Sequence, residues 1–190
     1  MKFLRNFSDN QEKHFKEGGK LEKLFPLYEA VDTFFYTSGS VTSKASHVRD
    51  GLDLKRMMLI VIYALIPAIL FALYNTGYQS NIAISAISDY EPSSWQQQFL
   101  LFLGLSFDAS SILSNMVLGA LYFFPIYFIT IAAGGFWEVL FAVIRKHEIN
   151  EGFFVTSMLF PLILPPDIPY WQVILGISFG VVIGKEVFGG

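Results

Sequence analysis

The chain has 190 residues, a formal net charge of −3 and no cysteine. Disulfides, thiolate metal sites and cysteine nucleophiles are therefore excluded from these residues, and the near-balanced charge implies no nucleic acid or other polyanionic partner. Hydrophobic residues make up 53% of the chain, including 20 Phe, and the mean hydropathy is +0.48. They are gathered into blocks rather than spread, as in an integral membrane protein.

The first twenty residues, MKFLRNFSDNQEKHFKEGGK, have no apolar core of signal-peptide length. Ten of the thirteen Lys and Arg residues precede or open the first apolar block, ending at Lys55 and Arg56. Residues 1–56 are therefore expected to form a cytoplasmic N-terminal segment. Within it Phe34, Phe35 and Tyr36 suit either a solvated tail or a cap lying against the membrane face. A transmembrane helix is expected over 57–77.

The next stretch, 78–111, has no Lys or Arg but carries Asp89, Glu91 and Asp108. It is expected to be a loop on the outer, periplasmic side. Its apolar run Phe99–Phe107 is too short to cross and suits an interfacial helix or a contact with a neighbouring protein. A long transmembrane helix follows over 112–147. Because it exceeds the roughly 30 Å of hydrocarbon to be crossed, tilt, extension beyond the membrane or a break at Gly134-Gly135 is expected.

In this second block Glu138 is the only Asp, Glu, Lys, Arg or His from Ile112 to Ile144. An ionised acid near the bilayer centre costs at least about 2.5 kcal/mol, which makes it a functional candidate. Nearer the headgroups the same acid is inexpensive, and Arg145 and Lys146 lie only two turns on. Sequence spacing leaves both positions open.

Residues 151–167 form a short apolar piece broken by Pro161 and ending in Pro165-Pro166. A re-entrant half-helix is expected there, with a kinked crossing as the alternative, and Thr156 and Ser157 near its start. A last transmembrane helix is expected over 170–187, with Gly176, Gly180 and Gly184 on one packing face. The sequence then ends at Gly190 just beyond the charged pair Lys185-Glu186, as expected of a chain truncated within a longer protein. His14, His47 and His147 are scattered, and no phosphate or dinucleotide fingerprint is present. Composition and pattern thus give an all-α integral membrane chain with a buried acid and a broken helix.

Four strings carry more: YEAVDTFFYTSGSVT, HVRDGLDLKRMM, AAGGFWEVLFAVIRKHEINEGFFVTSMLFPLILPPDIPYWQV and GISFGVVIGKEVFGG. From Tyr28 to Gly190, apart from the loop 78–111, the chain resembles the B subunits of the Na⁺-translocating NADH:quinone oxidoreductases. It resembles the related D subunits of the Rnf electron-transport complexes less well in its N-terminal segment.

The resemblance implies the first half of an inverted-repeat, urea-transporter-like helical bundle with a re-entrant half-helix. It also implies a multi-pass protein of the bacterial inner membrane with a cytoplasmic N-terminus. The partners would be the other subunits of a six-subunit complex, ubiquinone and membrane lipid. The implied activity passes electrons from NADH through flavins to ubiquinone, coupled to Na⁺ export. The full-length protein would carry riboflavin and a covalent FMN. The family's FMN threonine lies in a Ser-Gly-Ala-Thr sequence that does not occur here, so it is expected beyond Gly190.

By the same resemblance Gly134 and Gly135 are expected to be quinone-site residues and Glu138 a Na⁺ uptake residue. Phe136 and Trp137 would supply aromatic walls, and the alternative for Glu138 is a protonated acid donating to a quinone carbonyl. No catalytic residue and no resident metal ligand is expected within these positions. A D subunit of the Rnf type and a channel or solute transporter of the urea-transporter kind are the alternatives.

Overall fold

The computed structural model describes residues 54–87, 90–145, 149 and 152–189, together with the isolated positions Phe15, Phe25, Tyr28 and Asp32. The Phe34–Tyr36 tract and Lys146, His147 and Glu148 lie outside the described residues. Helix α1 runs Leu54–Ser85, α2 Trp95–Phe102, α3 Ile112–Arg145, α4 Gly152–Ile163 and α5 Tyr170–Val182, followed by a 3-10 turn at Glu186–Phe188. Among the described residues three segments are long and apolar enough to cross a membrane: Arg56–Ser85, Ile112–Arg145 and Tyr170–Phe188. Helix α3 is the centre, packed against α1, α2, α4 and α5.

Helix α1 continues eight residues beyond the expected end at residue 77. The stretch Gln79–Ser85 is polar enough to read as loop, but two of its side chains find partners within the helical arrangement. The Ser80 hydroxyl donates to Thr76 O at 2.8 Å, and Asn81 Nδ2 donates to Asn115 Oδ1 of α3 at 2.7 Å. The two helices also come into backbone contact here. A Cβ on Gly77 would stand 1.9 Å from Asn115 O, and one on Gly119 would stand 1.8 Å from Leu73 O. Each glycine thus receives the backbone of the other helix, the close approach that small residues permit in membrane bundles.

Helix α2 starts at Trp95, four residues before the apolar run, because Ser94 and Gln97 form a capping box. Buried Leu100 anchors it on α3, whereas Phe102 faces outward. It closes at Gly104, whose φ of +77° suits the residue after a helix end, and Leu105 N–H returns to Leu100 O at 3.3 Å. Trp95 Nε1 donates to the Tyr170 hydroxyl at 3.3 Å, tying α2 to the start of α5.

Helix α3 has 34 residues and passes without interruption through Pro125 and through Gly134-Gly135. Of the three outcomes expected for its length, the break at the glycine pair does not occur. At 1.5 Å per residue the helix is roughly 51 Å long, well beyond the hydrocarbon thickness. Helix α4 has 12 residues, including Pro161, and is only about 18 Å long. It ends before a turn at Pro165–Ile168, in which Ile168 N–H bonds Pro165 O at 3.2 Å. Proline at 165 and 166 removes the donors a continued helix would need.

Large apolar side chains remain exposed along three helices: Tyr63 and Phe71 on α1, Phe124 and Phe128 on α3, and Leu175 and Phe179 on α5. A soluble domain does not carry such a belt, and in a membrane protein lipid or further protein covers it. This is a membrane protein.

Candidate functional site

The site begins with a ridge on α3. Ile126, Thr130, Gly134, Glu138 and Ala142 are all buried, and they recur every fourth residue. Such a row lies on one side of a helix. Gly134 and Glu138 therefore share a face by helical geometry alone. Phe136 sits on the opposite side and is 60% exposed.

Against the ridge pack α4 and α5. Phe153 of α4 lies on the glycine pair: a Cβ at Gly134 would approach its ring to 2.5 Å and Ile177 Cγ1 to 3.0 Å. At Gly135 the added atom would be 3.6 Å from the ring, an ordinary contact. Phe153, Ile177 and Val181 form a buried cluster with Trp137 and Phe160 beside it. Trp137 Nε1 donates to Ser178 Oγ of α5 at 2.9 Å. Phe136 and Trp137 touch edge to face with centroids 5.3 Å apart.

The four residues singled out as a quinone site thus meet different neighbours among the described residues. Gly134 is covered by Phe153 and Ile177, Gly135 borders the same ring, Trp137 is engaged by α5, and Phe136 faces outward.

Glu138 is 2% exposed and pairs with the ammonium of Lys185, which lies just past the end of α5. Lys185 Nζ also stands 3.5 Å from Glu186 Oε1. Glu186 is fully buried, and Arg145 holds it from the end of α3: Nη1 reaches Oε2 at 3.3 Å and Nη2 donates to Glu186 O at 2.7 Å. Arg145 stacks in turn over the Phe141 ring at 5.1 Å. Two acids and two bases therefore form one continuous cluster. Burial of charge at this level requires such pairing.

Sequence pattern alone leaves Glu138 solitary and puts Lys185 and Glu186 at a membrane boundary. Lys185, Glu186, Arg145 and Phe153 are neighbours of the site that it does not reveal. The available signal was a Lys-Glu pair at the end of the last apolar block, facing a lone acid in the previous long one.

A cavity of about 480 Å³ opens beside the cluster. Glu138 and Lys185 form its charged end, and Phe153, Phe160, Ile177 and Val181 its apolar wall. Gly176 and Gly180 also line it: a Cβ at Gly176 would stand 3.2 Å from Phe160 Cζ, and one at Gly180 would meet nothing within 4 Å among the described residues. Thr156 is at the rim, one turn into α4, and its hydroxyl donates to Gly152 O at 3.1 Å. Ser157 likewise donates to Phe154 O at 2.8 Å, so both hydroxyls bond within their own helix. Among the described residues no group of three or more His, Cys, Asp or Glu is arranged to hold a metal.

A family model described as "NQR2, RnfD, RnfE family" matches residues 41–190. The chain belongs to this family. Proteins named as the B subunit of a Na(+)-translocating NADH-quinone reductase are similar along almost the whole chain. The one from Ectopseudomonas mendocina (strain ymp) is 58% identical over 188 residues, 98% of this chain and 47% of the relative. That from Stutzerimonas stutzeri (strain A1501) is 57% identical with the same two shares. The Yersinia pestis protein is 54% identical over 194 residues, again 98% and 47%. The chain spans about half the length of the curated relatives it matches. The match to the NQR2, RnfD, RnfE family includes α1 to α5, the charged cluster and the cavity.

Proposed function

We propose that this chain acts as the corresponding part of the B subunit in a Na⁺-translocating NADH:quinone reductase, passing electrons from NADH through flavins to ubiquinone while Na⁺ leaves the cytoplasm. The observation that carries this reading is identity of 54–58% to relatives of that name across 98% of the chain. In this reading the protein works in a six-subunit complex of the bacterial inner membrane, with its N-terminus cytoplasmic. The Lys and Arg distribution supports that orientation. The fold would be one half of an inverted repeat, with α4 as the re-entrant element. Its length of about 18 Å and its proline-rich end are what such an element needs.

Glu138 is the proposed Na⁺ uptake residue. A carboxylate is a hard oxygen ligand suited to a hard cation. Its place at the charged end of the 480 Å³ cavity supports a cation path from the end of the bundle that holds Arg145 and Lys185. Gly134 and Gly135 are proposed to support the quinone site through the ring of Phe153, with Trp137 fixing the α3–α5 contact and Phe136 meeting lipid or a partner protein. These residues offer no Ser-Gly-Ala-Thr threonine for covalent FMN, and no flavin step is routed through them. Riboflavin is likewise assigned only to the full-length protein.

The test is Glu138→Gln in the complete complex, with quinone reduction followed across Na⁺ and quinone titrations. A raised apparent KM for Na⁺ supports the uptake role, and unchanged KM values for both would end it. The competing reading, a passive urea-transporter-like channel, is separated by flavin fluorescence of the full-length polypeptide on a denaturing gel. Covalent flavin is expected, and its absence would favour the channel.

A further inference from the structure

Lys185 stands between two carboxylates that hold it unequally. Its ammonium is bonded to Glu138 Oε1, while Glu186 Oε1 waits 3.5 Å away, buried and without a hydrogen bond. The rest of Glu186 is fixed, because Arg145 Nη1 takes Oε2 and Nη2 takes the main-chain oxygen. One carboxylate oxygen is thus occupied by the lysine, and a second is positioned to receive it. The lysine head borders the cavity and its side chain is 28% exposed, so the ammonium can shift without leaving a closed core.

We propose that Lys185 is a tethered competitor of the transported cation, occupying Glu138 when Na⁺ is absent and passing to Glu186 Oε1 when Na⁺ enters. The inference rests on Glu138 being the uptake ligand. An ammonium and Na⁺ are both compact monovalent cations, and one buried carboxylate oxygen favours one of them at a time. Lysine suits this role because its charge sits on a flexible four-carbon stem. The planar guanidinium of arginine would remain locked in a fork. Among the described residues the two acids and two bases balance before exchange. During exchange Glu138 keeps a counter-cation throughout, so its buried charge is never uncompensated. Displacement returns the ammonium to Glu138 once Na⁺ moves on, which gives the site a built-in release step.

The experiment is a Na⁺ titration of quinone reduction by the complete complex in membranes, at one fixed pH for all variants. Removing the competitor in Lys185→Gln is expected to lower the apparent KM for Na⁺ by about three- to tenfold, the effect of losing one nearby cation at partial exposure. Lys185→Arg keeps the ion pair and is expected to raise it. Glu186→Gln removes the negative charge of the receiving group and is also expected to raise it. Flavin content of the purified complex reports assembly.

If Lys185→Gln assembles with an unchanged or raised KM for Na⁺, the competitor role is overturned. If it does not assemble, Lys185→Arg decides, and an unchanged KM overturns the role in that case. Glu138→Gln run alongside separates the two levels. Normal Na⁺ dependence in Glu138→Gln removes the uptake reading itself, whereas a shifted dependence with an unmoved Lys185→Gln removes only the exchange.

Discussion

Asn81 and Asn115 meet amide to amide at 2.7 Å, one turn beyond the place where Gly77 admits the backbone of α3. Asn115 Nδ2 continues to Ala109 O at 2.9 Å, so the pair also fixes the loop that enters α3. In an apolar medium an amide group without a partner is costly, and here Asn81 Nδ2 and Asn115 Oδ1 satisfy each other while Asn81 Oδ1 stays buried without a hydrogen bond. Replacing Asn81 by Leu should cost about 1–3 kcal/mol by stranding Asn115 Oδ1. A double-mutant cycle with Asn115→Leu, read from thermal unfolding of the detergent-solubilised complex, should give a coupling of about 0.6–2 kcal/mol. A coupling near zero would mean that the bond adds nothing to the helix contact.

The reciprocal glycines set a stricter condition. A methyl at Gly77 or Gly119 would fall within 2 Å of a main-chain oxygen, which cannot rotate away as a side chain can. Gly77→Ala and Gly119→Ala should each force α1 and α3 apart, costing about 3 kcal/mol or more. The expected result is a sharp loss of assembled complex, measured as the yield of intact particles on size exclusion. Near-normal yield would show that the helices have room to separate.

At the glycine pair the two positions should behave differently. Gly134→Ala drives a methyl into the Phe153 ring and Ile177, whereas Gly135→Ala makes only ordinary contact. The first should therefore change quinone affinity and inhibitor sensitivity of the complex far more than the second. Shrinking the obstructing ring in Gly134→Ala/Phe153→Leu should restore much of the loss. Equal effects at 134 and 135, with no rescue, would place the cause somewhere other than Phe153.

The approach to α3 has one titrating element. The Ser110 hydroxyl donates to Asp108 Oδ1 at 2.7 Å and its N–H to the same oxygen at 2.8 Å, and these bonds hold the carboxyl below its ordinary value of 3.8. A lowered folded value means that the turn is supported above the ordinary value and loses that support as pH falls through the lowered one. Ser110→Ala removes the hydroxyl bond and should move the loss to higher pH. Limited proteolysis of the 103–111 loop across an acid series should show it opening earlier in the variant than in the parent.

The long central helix was legible in the sequence because 34 residues of apolar text admit little else. The far end of α1 was not, since Gln79, Ser80, Asn81 and Ser85 break the apolar run, and Asn81 finds its partner only on α3. The same dependence hid the charge cluster. Glu138 and Lys185 are 47 residues apart, and their meeting follows from the α3–α5 crossing, which no local pattern encodes. Phe153 escaped for a related reason: an apolar residue in an apolar helix gives no sign that its ring covers a glycine.

The four-residue row along α3 has a final consequence. Such rows run oblique to the helix axis by about 26°, so a straight reading down one face drifts from one neighbour to the next. Near Ile126 the row borders a cleft shared with Ala72 and Thr76 of α1 and Pro161 of α4, whereas by Glu138 its company is α4 and the end of α5. Cross-linking probes stepped along positions 126, 130, 134, 138 and 142 would thus cross a seam. Those at the lower-numbered positions would capture α1 and those at the higher-numbered ones α5, although all five occupy a single stripe of the same helix.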